Sequence, residues 1–187
     1  MSPIRQQFIN YLKLRGLAEI TIRHYVRSVS LCSRFFNKPP LALSREEVEK
    51  FLLHLKDVRK LTPKTINQIL YSLKSFYSHF TPQNNFMDSF RRMKEPRKLL
   101  QVLSKEEIER LIDASPDLRV KALIALIYSS GIRVGECTKL KISDIDKDRE
   151  VIKVISGKGA KDRNATLSYR ALIILREYYK QYRPKEW

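Results

Sequence analysis

Apolar residues recur through the first eighty positions at the three- and four-residue spacing of helices with one buried face. Ile4, Phe8, Tyr11 and Leu12 set this spacing over residues 3–15, and Gly16 ends the run. Residues 18–36 repeat it with Ile22, Tyr25, Val26, Val29 and Phe36, and Pro39-Pro40 stops any continuation. Ser44 and Glu47 have the spacing of a capping box, with Val48, Phe51, Leu52 and Leu55 as the apolar face behind it. Thr62-Pro63 supplies a cap and a proline at the first helical position. Ile66, Ile69, Leu70, Leu73, Phe76, Tyr77 and Phe80 then line a fourth helix.

The pattern changes near residue 101. Ser104 with Glu107 repeats the capping-box spacing and opens a helix to about Ala114. Residues 117–130 are strongly apolar (Val120, Leu123, Ile124, Leu126, Ile127, Tyr128), and Gly131 supplies the stop. A short helix is predicted from Val134 to Leu140. Residues 150–155 read as a strand, 156–162 as a Gly-rich turn and 163–167 as a returning strand. Ser168 caps a last helix with Leu172, Leu175, Tyr178, Tyr179 and Tyr182 available for packing. The fold class is mainly α with a small β-hairpin or sheet. A helical unit spans residues 1–84, a linker 85–100, and an α+β unit 101–187.

Composition narrows the class of partner. The 187 residues include 43% hydrophobic and 30% charged residues and only five Gly, which argues against disorder and against a fibre. Lys plus Arg is 37 against 20 Asp plus Glu, a formal charge of +17. An excess of this size favours a polyanion, with nucleic acid ahead of a membrane because the cations are spread along the chain. Basic and acidic side chains number 14 and 5 in residues 1–84, 5 and 2 in 85–100, and 18 and 13 in 101–187. The front unit and the linker, with Arg91, Arg92, Lys94, Arg97 and Lys98 around Pro96, therefore carry most of the excess. Charge does not choose between DNA and RNA. Cys32 and Cys137 form no CxxC pair, so no zinc site or disulfide framework is expected. With no apolar signal region and no bilayer-length apolar run, the expected location is cytoplasmic, with no membrane partner.

Two segments can carry chemistry. Ser129-Ser130-Gly131-Ile132-Arg133-Val134-Gly135-Glu136 places an arginine on a turn after a buried helix. A guanidinium held there can fork onto two phosphate oxygens, or Arg133 and Glu136 can be a plain ion pair three residues apart. Gly157-Lys158-Gly159-Ala160-Lys161-Asp162-Arg163 puts three cations on a hairpin turn. Its spacing is not that of a P-loop, and by itself it equals an ordinary solvated turn. On the fourth helix Lys64, Asn67, Gln68 and Lys74 are candidate groove or phosphate contacts, since Asn and Gln can read adenine and Lys guanine. The alternative for each is a polar outer helix face.

Taken together, the order apolar helix, G-I-R-V-G-E, short helix, S-D-I-D, strand, G-K-G-x-K-D-R, strand, helix resembles the tyrosine recombinase family of phage-type integrases. At the front, Thr21, Ile22 and Tyr25 form a T-I-x-x-Y element within what resembles that family's four-helix, SAM-like core-binding domain. The resemblance implies that residues 101–187 are part of the α+β catalytic domain and that the two units close as a C-shaped clamp on double-stranded DNA. It implies that Arg133 binds the scissile phosphate, that Glu136 supports the turn, and that Lys158 protonates the leaving 5′ oxygen. Lys161, Arg163, Lys64, Asn67, Lys74 and Arg97 are the expected DNA contacts. The family uses no metal or other cofactor, and it assembles as a homo-oligomer on paired DNA sites.

One departure bears on activity. The family continues with a His-x-x-Arg element and a nucleophilic tyrosine that stores the phosphodiester energy as a phosphotyrosine. Here the histidines are His24, His54 and His79, all in the front unit. His24 has Arg27 three residues on, but it precedes Arg133 and reads as a solvated helix pair. Tyr169, Tyr178, Tyr179 and Tyr182 follow the hairpin where the family has a packing helix. The expectation is a C-terminally truncated recombinase without its nucleophile. The alternatives are a non-catalytic DNA-binding regulator or degenerate remnant, and an RNA-binding protein.

Overall fold

The computed structural model describes residues 3–82, 86–96, 99, 101–155 and 162–184. The chain divides into two compact units, Met1–Leu99 and Leu100–Trp187.

The first unit is a bundle of four helices, α1 (Pro3–Leu14), α2 (Glu19–Phe36), α3 (Arg45–Asp57) and α4 (Pro63–Phe80). Their ends follow local chemistry. Gly16 takes φ 69° after α1, and Asn37 closes α2 in the left-handed region at φ 52°. Ser44 and Glu47 form the reciprocal box that opens α3, and Thr62 accepts from the Thr65 N–H at the start of α4. Phe8, Leu12, Val48, Phe51, Leu55, Leu73 and Phe76 are among the buried side chains that close the core. Phe8 meets Phe76 edge-on at 5.1 Å. The buried Tyr77 hydroxyl donates to the Pro40 carbonyl at 2.6 Å, which gives its one polar atom a partner. Beyond α4, Met87 is fully buried against the same core.

The second unit contains α5 (Lys105–Ala114), α6 (Leu118–Ser130), α7 (Val134–Cys137) and α8 (Tyr169–Tyr182). Strands β1 (Ile145–Asp146), β2 (Val151–Val154) and β3 (Arg163–Thr166) form an antiparallel sheet in the order β1-β2-β3. Ile152 pairs with Ile145 on one side and Ala165 on the other, and Val154 pairs with Arg163. Ile152 and Val154 point into a core shared with Leu126 of α6 and Leu175 of α8.

Three details differ from the sequence pattern. β1 is an added strand, only two residues long and too short to show alternation. α7 stops at Cys137, because Leu140 turns inward and its N–H bonds the Cys137 carbonyl at 3.2 Å. On α8 the buried stripe is Ala171, Ile174 and Leu175 with Tyr178 packed beside it, while Tyr179 and Tyr182 are 38% exposed.

Candidate nucleic-acid interface

The turn after α6 is held by its neighbours. Gly131 takes φ 63° and its N–H bonds the Ile127 carbonyl at 2.9 Å. Ile132 is buried, and this anchors the chain so that Arg133 emerges with 59% of its side chain exposed. Glu136 reaches back: its carboxylate accepts the Arg133 backbone N–H at 2.9 Å and the Arg133 Nη1 at 3.0 Å. The same carboxylate accepts a second arginine. Arg163 on β3 donates from Nη1 at 3.0 Å and Nη2 at 2.7 Å, one to each oxygen. Only 10% of the Glu136 side chain is exposed. The Arg163 fork, followed by the Arg133 backbone N–H, holds the Glu136 carboxyl well below the usual range, so it stays ionised. Both readings of Arg133 and Glu136 therefore meet in one place: the ion pair exists, and Arg133 still faces solvent.

The other expected contacts fall in different settings. Lys158, Lys161 and Arg97 lie outside the described residues. Lys64 and Gln68 are exposed on α4, and Lys74 is half-buried. Asn67 is a correction. It is 3% exposed, its amide nitrogen donates to the Met93 carbonyl at 3.0 Å and to Glu95 at 2.9 Å, and its oxygen accepts the Met93 N–H at 2.8 Å. Its amide fastens the stretch after α4 to the bundle, which leaves no edge for an adenine.

A basic feature that the apolar pattern does not single out lies on α2. Arg23, Arg27 and Arg34 share one flank of the helix with Ser30, and Arg5 of α1 faces them across a groove of about 590 Å³. None of the four arginines has an ion-pair partner among the described residues. Arg23 to Arg34 spans eleven residues, about 16 Å of helix. The spacing 23, 27, 34 is the signal that the sequence offers for it.

The thiols, Tyr178 and Tyr182 are occupied otherwise. Burial, with a smaller effect of the Glu47 charge, pushes the Cys32 thiol up to about 12, and burial alone pushes Cys137 to about 11. The Arg119 guanidinium lies over the Tyr182 ring at 5.1 Å, and Tyr178 and Tyr182 pack at 5.1 Å. Among the described residues no group of three His, Cys, Asp or Glu could hold a metal ion, and no helix is long and apolar enough to cross a membrane.

Both units are similar to known proteins. Residues 4–84 match the phage integrase N-terminal SAM-like domain, and residues 101–187 match the phage integrase family. A tyrosine recombinase of Thermosipho africanus is 30% identical over 197 residues, covering 99% of this chain and 70% of that protein. The chain belongs to the tyrosine recombinase family. Another tyrosine recombinase, XerA of Pyrococcus horikoshii, is 30% identical over 179 residues, covering 96% of this chain and 61% of that protein. The integrase/recombinase-class protein y4qK of Sinorhizobium fredii is 35% identical over 189 residues, covering 100% of this chain and 61% of that protein. The chain thus spans about 61% of the length of these last two relatives. Among solved structures, a lambda integrase dimer bound to a COC′ core site is similar at TM-score 0.74 and 18% identity, covering 95% of this chain and 66% of that chain. That likeness supports the mostly helical tyrosine recombinase fold.

Proposed function

We propose that this chain holds double-stranded DNA by its phosphate backbone as part of a site-specific tyrosine recombinase, with Arg133 gripping the scissile phosphate and Glu136 bracing it. The observation that carries the reading is the exposed Arg133, fixed from behind by a nearly buried carboxylate. A preorganised guanidinium of this kind stabilises phosphoryl charge without reorganising when the ligand arrives. The structures that share its fold include a dimer on a core site and a tetramer on a Holliday junction. DNA as the partner, assembly on paired sites and a cytoplasmic location are part of the proposal. So are protonation of a leaving oxygen by Lys158 and backbone contacts by Lys161, Lys64, Lys74 and Arg97.

The same proposal assigns strand cleavage to groups these 187 residues do not supply. No histidine follows Arg133, and Tyr178, Tyr179 and Tyr182 of α8 are engaged in ring contacts. Incubation with a nicked suicide duplex should give binding without a covalent adduct. An adduct that survives denaturation overturns this half of the reading. Binding should weaken steeply with salt, by about −0.9 in log–log slope per phosphate neutralised. A flat salt response overturns the DNA reading itself, and structured RNA outcompeting duplex DNA redirects it. The unpaired α2 arginines favour a second reading, a DNA-occupying regulator whose binding does not need Arg133. Duplex affinity undiminished in Arg133→Ala would select it.

A further inference from the structure

The three charged groups at the α6–α7 turn are not used symmetrically. Glu136 accepts four hydrogen bonds, two from Arg133 and two from Arg163. Arg163 commits both terminal nitrogens to the carboxylate. Arg133 commits one terminal nitrogen and its backbone N–H, and its Nη2 and Nε have no acceptor among the described residues. Arg163 is also the less exposed of the two arginines, 38% against 59%. One arginine is therefore committed to the carboxylate, and the other keeps an open edge.

Charge counting gives this asymmetry a consequence. Glu136 alone with Arg133 is a neutral pair, and an unshared carboxylate is free to take the whole guanidinium fork. A phosphate approaching Arg133 would then compete with Glu136 for the same donors. With Arg163 on both carboxylate oxygens the trio is net cationic, and the fork of Arg133 is only half taken. The link also joins residues 27 positions apart, tying β3 to the start of α7.

We infer that Arg163 is a positioning residue: it acts on DNA through Glu136, by occupying that carboxylate so that Arg133 stays open to phosphate, and it does not itself contact DNA. This replaces a direct DNA contact at Arg163 and rests on the phosphate-gripping reading of Arg133. Direct contact and action through Glu136 predict different double-mutant cycles.

The experiment uses the full chain and a fluorescein-labelled duplex of about 20 base pairs, about two turns of B-DNA at roughly 3.4 Å rise per base pair. Anisotropy at fixed salt is the readout. Arg133→Ala, Arg163→Gln, Arg163→Lys, Glu136→Gln and the double variant Arg163→Gln/Glu136→Gln are compared. Arg163→Gln is expected to cost about as much affinity as Arg133→Ala, roughly tenfold or more for one charge-assisted phosphate bond. In the Glu136→Gln background the same change should cost less than about twofold, because the group it acts through is gone. Arg163→Lys should recover part of the loss, since it keeps the charge and loses the fork.

An equal loss from Arg163→Gln in both backgrounds means direct contact and overturns the inference, as does no loss in either. Should Glu136→Gln fail to fold, the Arg133 Nε–H resonance decides. Titrated with inorganic phosphate, it should shift at higher phosphate concentration in Arg163→Gln than in the parent, with Arg163→Lys between. Identical titrations overturn the inference. If the parent chain does not bind the duplex at all, the underlying reading fails. If the parent and Arg133→Ala differ but the cycle is additive, only the role of Arg163 fails.

Discussion

In the first unit Arg5, Arg23, Arg27 and Arg34 line one groove, with no carboxylate paired to any of them among the described residues. In the second, Arg119, Arg133, Arg149, Arg163 and Arg170 are each bonded to an Asp or Glu. The first arrangement gives a cationic surface whose attraction is long-ranged, tolerant of position and sensitive to salt. The second gives up free charge for geometry, because a guanidinium bonded from behind has fewer orientations to lose when it meets an anion. One residue type thus serves two ends, and what separates them is where the carboxylates lie. Residues 101–187 hold 13 acidic side chains and residues 1–84 hold 5.

The largest effect expected from testing this contrast lies beneath the free arginines. Phe76 is 1% exposed and closes the bundle against Phe8. Phe76→Ala should cost about 3–5 kcal/mol in urea unfolding. A loss below about 1 kcal/mol would mean that the groove does not depend on this core. Next, combined Arg23→Ala, Arg27→Ala and Arg34→Ala should make the log–log salt slope of duplex binding less negative by about 2.7, at about 0.9 for each phosphate that is no longer neutralised. An unchanged slope would erase the contrast, since unpaired arginines would then contribute no more than paired ones.

On the paired side, Gly131→Ala tests the turn that presents Arg133. A Cβ there meets nothing within 4 Å, so the cost is that of φ 63° alone. That is about 1–2 kcal/mol by thermal or urea unfolding. A stabilised variant would show that the left-handed turn is not maintained in solution. The smallest effect is a pH dependence. Glu136 is held below its ordinary pKa, so its contribution to stability is fully present above that value, about 4.3. It is lost as pH falls from there towards the folded value. The stability gap between the parent and Glu136→Gln should therefore narrow between about pH 6 and about pH 3. A constant gap would place the role of Glu136 outside its charge.

The helices were legible because what defines them is local: Ser44, Thr62, Ser104 and Ser168 cap within three residues of themselves, and Gly131 stops α6 where it stands. The ion pair of Arg133 and Glu136 was legible for the same reason. The bond from Arg163 to Glu136 was not, since it crosses 27 residues and forms only once β3 has paired with β2. Asn67 misled because a polar residue beside Ile66 reads as the outer edge of an apolar stripe. α4 in fact buries a wide face that also takes in Ser72, whose hydroxyl bonds back to the Gln68 carbonyl. The α2 arginines were readable by spacing. That they lack ion-pair partners is a property of the folded surface, and no local pattern states it.

The two sealed thiols make the protein a convenient host for site-specific labels. Cys32 is fully buried and Cys137 nearly so, and both are held protonated far above neutral pH. Because the thiolate is the nucleophile, both should be slow towards maleimides and alkylating dyes. A cysteine introduced at exposed Lys64 or Tyr71 would be the fast-reacting thiol of the folded chain, so a dye or spin label can be placed there without first removing the natural pair.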